Sequence, residues 1–360
     1  MRIKKVAVLG SGIMGTGIAC HLANIGMDVL MLDILPGADP DTPAPLRNKV
    51  ANDALAAALK AKPAGLYEKS FVKRIRTGNL EDDLKAISEV DWIIEVVIER
   101  LDIKKQLFER VEKVRKPGTF ISSNTSGIPI RQMAEGRSDD FKKHFLGTHF
   151  FNPPRYLRLL EVIPGPDTSP EVVDFFMDFG QNFLGKQTVL CKDTPAFIAN
   201  RVGVFTMGNI FKLAKELELP ISDVDKLTGP ALARPGTGTF RLADLVGLDT
   251  AVKVIDGIRQ NCPDDQMAQA LVMPEYMKFL NDNGFYGNKS GQGFYKKTGQ
   301  KDEKGKSIVE ALNLQTLHYE SGKSARLASL DLSKQIDDPA KRIKALFNHS
   351  DAGGQLIRKS

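Results

Sequence analysis

Cysteine is scarce. Cys20, Cys191 and Cys262 are the only three in 360 residues and stand too far apart for a CxxC pair. They offer neither a zinc-ligand spacing nor a disulfide framework, so no metal site is expected and a reducing, cytoplasmic setting is. Long apolar runs are missing as well. None approaches the roughly 18 residues of a membrane span, so no membrane partner is expected. No signal peptide is expected, because the first strand pattern begins near Ile3. Charge of one sign is not in large excess: 50 Lys and Arg face 44 Asp and Glu, leaving +6. No block of like charge and no aromatic–basic interleaving occurs, so nucleic acid is not an expected partner. The mild basic excess fits a solvated surface or the handling of anionic ligands. No internal repeat is present.

What is present is organisation. "IKKVAVLG" (residues 3–10) is a short β-branched run ended by glycine, the pattern of a buried strand. "IMGTGIACHLANIG" reads as a helix with Ile13, Ala19, Leu22 and Ala23 inward and Gly26 as its stop. "DVLMLD" (28–33) is a second strand. Together they form a βαβ unit of about 30 residues, the size of a mononucleotide-binding half.

Residues 36–78 form an excursion, first proline-rich and then helical in "LRNKVANDALAAALKAK". Strands follow in "VDWIIEVVIE" (90–99), "GTFISSNTS" (118–126), "FLGTHFF" (145–151), "LRLLEVIPG" (157–165) and "KQTVLCKD" (186–193), with helices between several of them. From Thr194 to about Gly284 the pattern is helical almost throughout. The expected fold is α/β: a Rossmann-type, doubly wound, mostly parallel sheet over 1–193, followed by an all-α domain over 194–297. Residues 298–360 read as a flexible linker, "KKTGQKDEKGKS", and then a partial second helical segment.

The glycine turn carries the first chemical expectation. Gly10-x-Gly12-x-x-Gly15 follows a strand and opens a helix. Gly10 permits the tight turn, Gly12 lets a pyrophosphate approach the backbone, and Gly15 lets the helix pack on the strand. The helix N-terminus then offers free N–H groups and a positive dipole end to phosphates. Asp33 stands 18 residues after Gly15, at the end of the second strand, where a carboxylate accepts from a ribose diol and repels a 2′-phosphate. Ile34 rather than Arg follows it, which favours NAD over NADP. The turn alone does not separate dehydrogenase classes, because a GxMG form also occurs in hydroxyacid dehydrogenases that use a catalytic lysine.

Oxidising an alcohol needs a base for the hydroxyl proton, and histidine suits neutral pH. Of five histidines, His21 lies in the first helix, His144 follows two lysines, and His318 and His349 lie in the tail region. That leaves His149, in "GTHFFNPPRYLRLLEVI".

At this point a resemblance becomes specific. "SSNTSG", "GTHFFNPP", "LLEVI", "DTPAFIANR" and "GNKSGQGFY" (287–295) stand in the order and spacing of the L-3-hydroxyacyl-CoA dehydrogenase family, over residues 1 to about 297. The excursion after Asp33 and "NLEDDL…DWIIEVVIE" resemble the dehydrogenase part of bacterial and archaeal proteins that carry an enoyl-CoA hydratase domain further on. The resemblance implies oxidation of (S)-3-hydroxyacyl-CoA with NAD. It implies His149 as general base and acid, Glu161 as its orienting partner, and Ser126 and Asn200 holding the substrate oxygens. For the cofactor it points to Gly10, Gly12, Ile13, Met14, Gly15, Asp33, Glu99, Lys104, Ser126, Asn152 and Lys289. It implies an acyl-CoA partner and a homodimer through the helical domain. Glu161 lies within the apolar run "LRLLEVI", an unfavourable place for an acid without a partner.

Two departures stand out. Ala196 occupies a position where the family commonly has glycine. The family's coenzyme A contacts fall in the excursion, where Ala54 stands near a contacting serine, and Lys60 or Lys62 could supply the phosphate charge. Two other readings remain open: a dehydrogenase of a free hydroxy or sugar acid, and a non-catalytic NAD-binding module.

Overall fold

A computed structural model describes residues 3–266, 271–305, 307–322 and 324–360. The chain forms two compact units, Met1–Ile198 and Ala199–Ser360. The division falls five residues beyond the expected 193/194 boundary, for a physical reason. Cys191 and Phe197 are buried in the core of the first unit. The Asp193 carboxylate also accepts from the Ile130 and Arg131 amides, at 2.7 and 3.0 Å, which ties the segment down.

The first unit is built on eight strands: β1 (Lys5–Leu9), β2 (Asp28–Asp33), β3 (Ile75–Asn79), β4 (Trp92–Glu95), β5 (Phe120–Ser123), β6 (Phe145–Phe150), β7 (Leu159–Pro164) and β8 (Gln187–Leu190). Their order is β3-β2-β1-β4-β5-β6-β7-β8. All neighbours are parallel except β6 and β7. The strand order reverses between β1 and β4, the crevice where open α/β sheets bind ligands. Expectation missed β3, which lies inside the excursion. "IRTGN" is too short and polar to read as a strand, yet it pairs with β2 from Val29↔Ile75 to Asp33↔Asn79.

Both faces of the sheet are covered, as parallel strands require. In β1, Val6 and Val8 join one apolar cluster while Ala7 and Leu9 join the other, the two-residue alternation of a strand. Helix α1 (Ile13–Asn24) lies on the first face, and after α2 (Lys49–Lys60) helix α3 (Leu101–Val114) lies on the second. Short helices α4 (Ile130–Ala134) and α5 (Asp139–Lys143) precede β6. Helix α6 (Pro170–Asn182) sets Phe176 5.0 Å from Trp92 and Phe175 4.9 Å from Phe120, centroid to centroid. The fully buried rings, Trp92, Phe120 and Phe176, contribute about 1.5–3 kcal/mol each.

The second unit is helical through α7 (Ala199–Glu216), α8 (Ile221–Thr228), α9 (Phe240–Val246), α10 (Leu248–Asn261) and α11 (Glu275–Asp282). The helical expectation over 267–270 lies outside the described residues. The expected linker is a correction. Its residues form β9 (Tyr295–Lys301) and lead to β10 (Ser307–Leu312), which pairs antiparallel with β9 and with β11 (Tyr319–Glu320). The ribbon's lysines and glycines mimic a linker because much of it faces water. Its anchor is buried. Tyr295 donates its hydroxyl to Asp225 at 2.6 Å, and the Phe294 and Tyr295 amides donate to Asp244 at 2.8 and 2.9 Å. Burial pushes both aspartates up to about 6. Helices α12 (Ala328–Ser333), α13 (Pro339–Asn348) and α14 (Ala352–Lys359) complete the unit. Among the described residues, no helix is long and apolar enough to cross a membrane.

The tightest contact in the first unit lies where α1 meets β1. A Cβ on Gly15 would sit 1.9 Å from the Gly10 carbonyl oxygen, a backbone atom that cannot step aside. Gly15→Ala is therefore expected to lower unfolding free energy by about 1–3 kcal/mol or more, measured by urea denaturation.

Candidate active site

The glycine turn is shaped for close approach. Gly10 has φ +110°, and a Cβ there would meet the Val96 carbonyl oxygen at 2.6 Å. Above Gly12 there is open space. Gly12 caps α1 without a side chain, and the helix has no acid in its first turn, so its amides are uncovered. Ile13 corrects an expectation: it is 79% exposed rather than inward, because it starts the helix on the ligand side of the turn. Met14 is half-buried against the core. Asp33 is held at the rim. Its Oδ2 accepts from both the Ser11 amide and the Ser11 hydroxyl at 2.5 Å, and Oδ1 accepts from the Ile34 amide at 2.7 Å. Uncapped amides, clearance above Gly12 and a fixed carboxylate fit a dinucleotide with a free ribose diol.

Next to the turn, the carboxyl end of β4 carries a chain of charges. Lys104 on α3 is 1% exposed, and its ammonium bonds both oxygens of the fully buried Glu95, at 2.7 and 2.9 Å. The same ammonium reaches Glu99 at 3.2 Å. Ser123 Oγ and the Val97 amide also donate to Glu95, at 2.5 and 2.8 Å. Burial pushes the Glu95 carboxyl up, against the pull of Lys104 and these donors. Glu99 Oε1 in turn accepts from Thr125 Oγ1 at 2.5 Å and from the Ser126 and Gly127 amides at 2.9 and 3.1 Å. Burial works to raise Glu99, but the Lys104 charge and these hydrogen bonds outweigh it and hold the carboxyl below its ordinary value. Lys104, expected to touch the cofactor, is instead enclosed behind Glu99 and acts on the rim through it.

The 123–127 turn brings Ser126 to His149. Ser126 Oγ lies 3.3 Å from His149 Nε2. On the other side of the ring, Nδ1 lies 2.7 Å from Glu161 Oε2. The pairing comes from register: β6 and β7 are antiparallel, and His149 stands directly opposite Glu161. Both side chains therefore share one face, and a one-residue slip would put them on opposite faces. Glu161 is buried and takes a further hydrogen bond on Oε1 from the Ile198 amide at 3.1 Å. A carboxylate at Nδ1 fixes the proton there and leaves Nε2 with a lone pair towards Ser126. The rings of Phe151 and Phe197 flank the imidazole at 4.5 and 5.7 Å. The nearby Cys191 thiol is pushed up to about 12, first by burial and then by the Glu161 charge.

Asn152 is exposed just beyond β6. Asn200 and Lys289 belong to the second unit: Asn200 is half-buried in the first turn of α7, and Lys289 is paired with Asp249. The remaining histidines serve packing or capping where they are inside. His21 is buried with Nε2 3.0 Å from the Leu184 carbonyl. His144 is half-buried and bonded to the Asp140 carbonyl at 2.8 Å. Sequence reasoning missed Glu95, Ser123 and the Ile198 amide. Glu95 carried the same signal that singled out Glu161, an acid inside an apolar run. Among the described residues no cluster of His, Cys, Asp and Glu is arranged to hold a metal ion.

With this geometry in hand, comparison with known proteins is informative. Residues 5–194 match the family model described as 3-hydroxyacyl-CoA dehydrogenase, NAD binding domain, and residues 197–297 match its C-terminal domain. A Bacillus subtilis protein named "Probable 3-hydroxyacyl-CoA dehydrogenase" is 45% identical over 99% of this chain, which spans 45% of that protein's length. A Deinococcus radiodurans protein of the same name is 48% identical over 84% of this chain and 85% of its own. The crystal structure of FadB2 from Mycobacterium tuberculosis superposes with a TM-score of 0.70 at 29% identity, covering 82% of this chain and 99% of that one.

Ala196 and Phe197, in the segment that places the Ile198 amide, have φ of +63° and +47°. Both lie in the left-handed region that disfavours a side chain. Ala196→Gly removes the penalty at the first of them. It is expected to raise unfolding free energy by about 0.5–1 kcal/mol in chemical denaturation.

Proposed function

The chain belongs to the 3-hydroxyacyl-CoA dehydrogenase family, a class of NAD-dependent oxidoreductases, and from that premise we propose that it oxidises (S)-3-hydroxyacyl-CoA to 3-oxoacyl-CoA. The observation that carries the reading is the His149–Glu161 pair, buried together at 2.7 Å with Nε2 left free to take a proton. When bound, NAD supplies the acceptor for the hydride leaving C3. His149 Nε2 takes the 3-hydroxyl proton as that hydride departs, and returns it in the reverse reduction. Glu161 holds the imidazole in the required tautomer and stabilises the imidazolium that forms. Ser126, already 3.3 Å from Nε2, holds the substrate oxygen in line with that nitrogen, and Asn200 orients the thioester carbonyl. Phe151 and Phe197 keep water from the ring.

On the cofactor side, the amides of Ile13, Met14 and Gly15 face the pyrophosphate, with Gly10 and Gly12 giving it clearance. Asp33 binds the adenosine ribose, and Glu99, braced by Lys104, binds the nicotinamide ribose. Asn152 and Lys289 add cofactor contacts. Lys60 or Lys62 serves the coenzyme A phosphate. The reaction fits fatty-acid β-oxidation. The three unpaired cysteines fit the cytoplasm, and the helical unit is the surface for a homodimer.

Two predictions test the reading. His149→Ala is expected to lower kcat for 3-hydroxybutyryl-CoA by about 10²–10⁴-fold, with free 3-hydroxy acids turned over poorly by either form. NADH formation in stopped-flow measures both, and full turnover by the variant would refute the proton role. Asp33→Ser is expected to raise KM for NAD and improve use of NADP by about tenfold or more, because the change removes repulsion of a 2′-phosphate. Steady-state rates with the two cofactors in parallel give the ratio.

A further inference from the structure

Lys186 is a buried lysine that the proposed chemistry leaves unused. It stands just before β8, 5% exposed, and its ammonium donates to the main-chain carbonyls of Pro154 and, at 2.8 Å, of Leu157. The Phe150 ring lies 5.9 Å from the nitrogen. Among the described residues no carboxylate faces it. The Lys186 charge is felt by His21, which burial and then that charge lower to about 4, so it is neutral at pH 7. Burial also lowers Lys186, to about 8, so the ammonium is still charged at neutral pH.

A buried ammonium without a counter-ion is costly unless its donors are well used. Here they are spent on one loop, the connection between β6 and β7. It begins right after β6, two positions beyond His149, and Asn152 is in it. The loop is fastened at other points as well. Arg155 donates to the Ala64 and Leu66 carbonyls at 2.7 and 2.9 Å, and Tyr156 donates to Ala64 at 3.0 Å. Gly17 of α1 leaves room for Pro154, because a Cβ there would meet its ring at 2.9 Å. Those contacts fix the outer side of the loop. Lys186, buried, holds the Pro154 and Leu157 carbonyls of the same loop, and the first of these stands two positions after the exposed Asn152.

We propose that Lys186 is a positioning residue for NAD: through the Pro154 and Leu157 carbonyls it holds the β6–β7 loop so that Asn152 meets the cofactor. The inference rests on the assignment of Asn152 to the cofactor made above. It separates Lys186 from proton transfer, so its loss changes cofactor affinity more than the chemical step.

The test uses the full chain with Lys186→Met, Lys186→Gln, Lys186→Arg, Asn152→Ala and the Asn152→Ala/Lys186→Met double variant. Folding is checked by circular dichroism, and the uncharged Gln variant carries the test if Met does not fold. NADH dissociation constants come from fluorescence titration, and KM and kcat from turnover of 3-hydroxybutyryl-CoA. Lys186→Met is expected to raise the NADH Kd and the KM for NAD about tenfold while kcat at saturating NAD falls less than threefold. Lys186→Arg is expected to recover most of the affinity. The double variant is expected to bind NADH no more than about threefold more weakly than Asn152→Ala, because both changes remove one function. An unchanged Kd in a folded Met or Gln variant overturns the proposal while leaving Asn152 in place. Full additivity in the double variant also overturns it. If Asn152→Ala binds NADH normally, the cofactor role of Asn152 fails, and the route through it fails with it.

Discussion

The hydrogen bond between His149 and Glu161 exists because β6 and β7 run antiparallel in a sheet whose other neighbours are parallel. In a parallel pair, the eight residues that connect Phe150 to Leu159 would not suffice for a crossover. A short loop back into an antiparallel neighbour sets the two side chains opposite each other on one face. The same loop carries Asn152 and hangs on Lys186. One strand reversal thus places the base, its orienting acid and the loop beside them, and rigid elements rather than a flexible lid supply the alignment.

Around this reversal His149, Glu161, Glu95 and Lys104 are inside the protein, where an unpaired charge is severely unfavourable, and Glu99 stands at the exposed rim. Each has its partners. Glu161 is bonded by an imidazole and a main-chain amide. Glu95 is bonded by Lys104, Ser123 and Val97. Glu99 gathers the donors of the 125–127 turn. A continuous polar path therefore runs from Glu95 through Lys104 and Glu99 to Ser126 and on to the imidazole. Removing one member of a buried pair costs about 3–5 kcal/mol, so these contacts hold the turn firmly rather than merely decorating it.

Much of this was legible before any coordinates. Parallel strands buried on both faces read as apolar runs, so β1, β2, β4 and β6 stood out, and the glycine turn announced itself by spacing. His149 emerged from the scarcity of histidines and from the motif around it. Elements whose residues are shared between core and water were not legible. β3 is half polar because it is an edge strand. The β9–β10 ribbon has the composition of a tether. Ile13 follows the helical pattern inward but sits where the helix begins, and its position there overrides its chemistry. In the sequence Ala196 stands out only as a departure from glycine. Its positive φ supplies the reason that glycine suits the position.

The ribbon changes what counts as a domain in the second unit. The family model stops at residue 297. The apolar cluster under the helices does not stop there, because Leu312, Leu314, Leu327, Leu330, Leu346 and Leu356 are buried in it together with Phe211, Phe240 and Phe294. The segment that the family model covers is thus smaller than the unit that folds. Cutting the chain at residue 297 would leave the helices before it with one wall of their interior open to water.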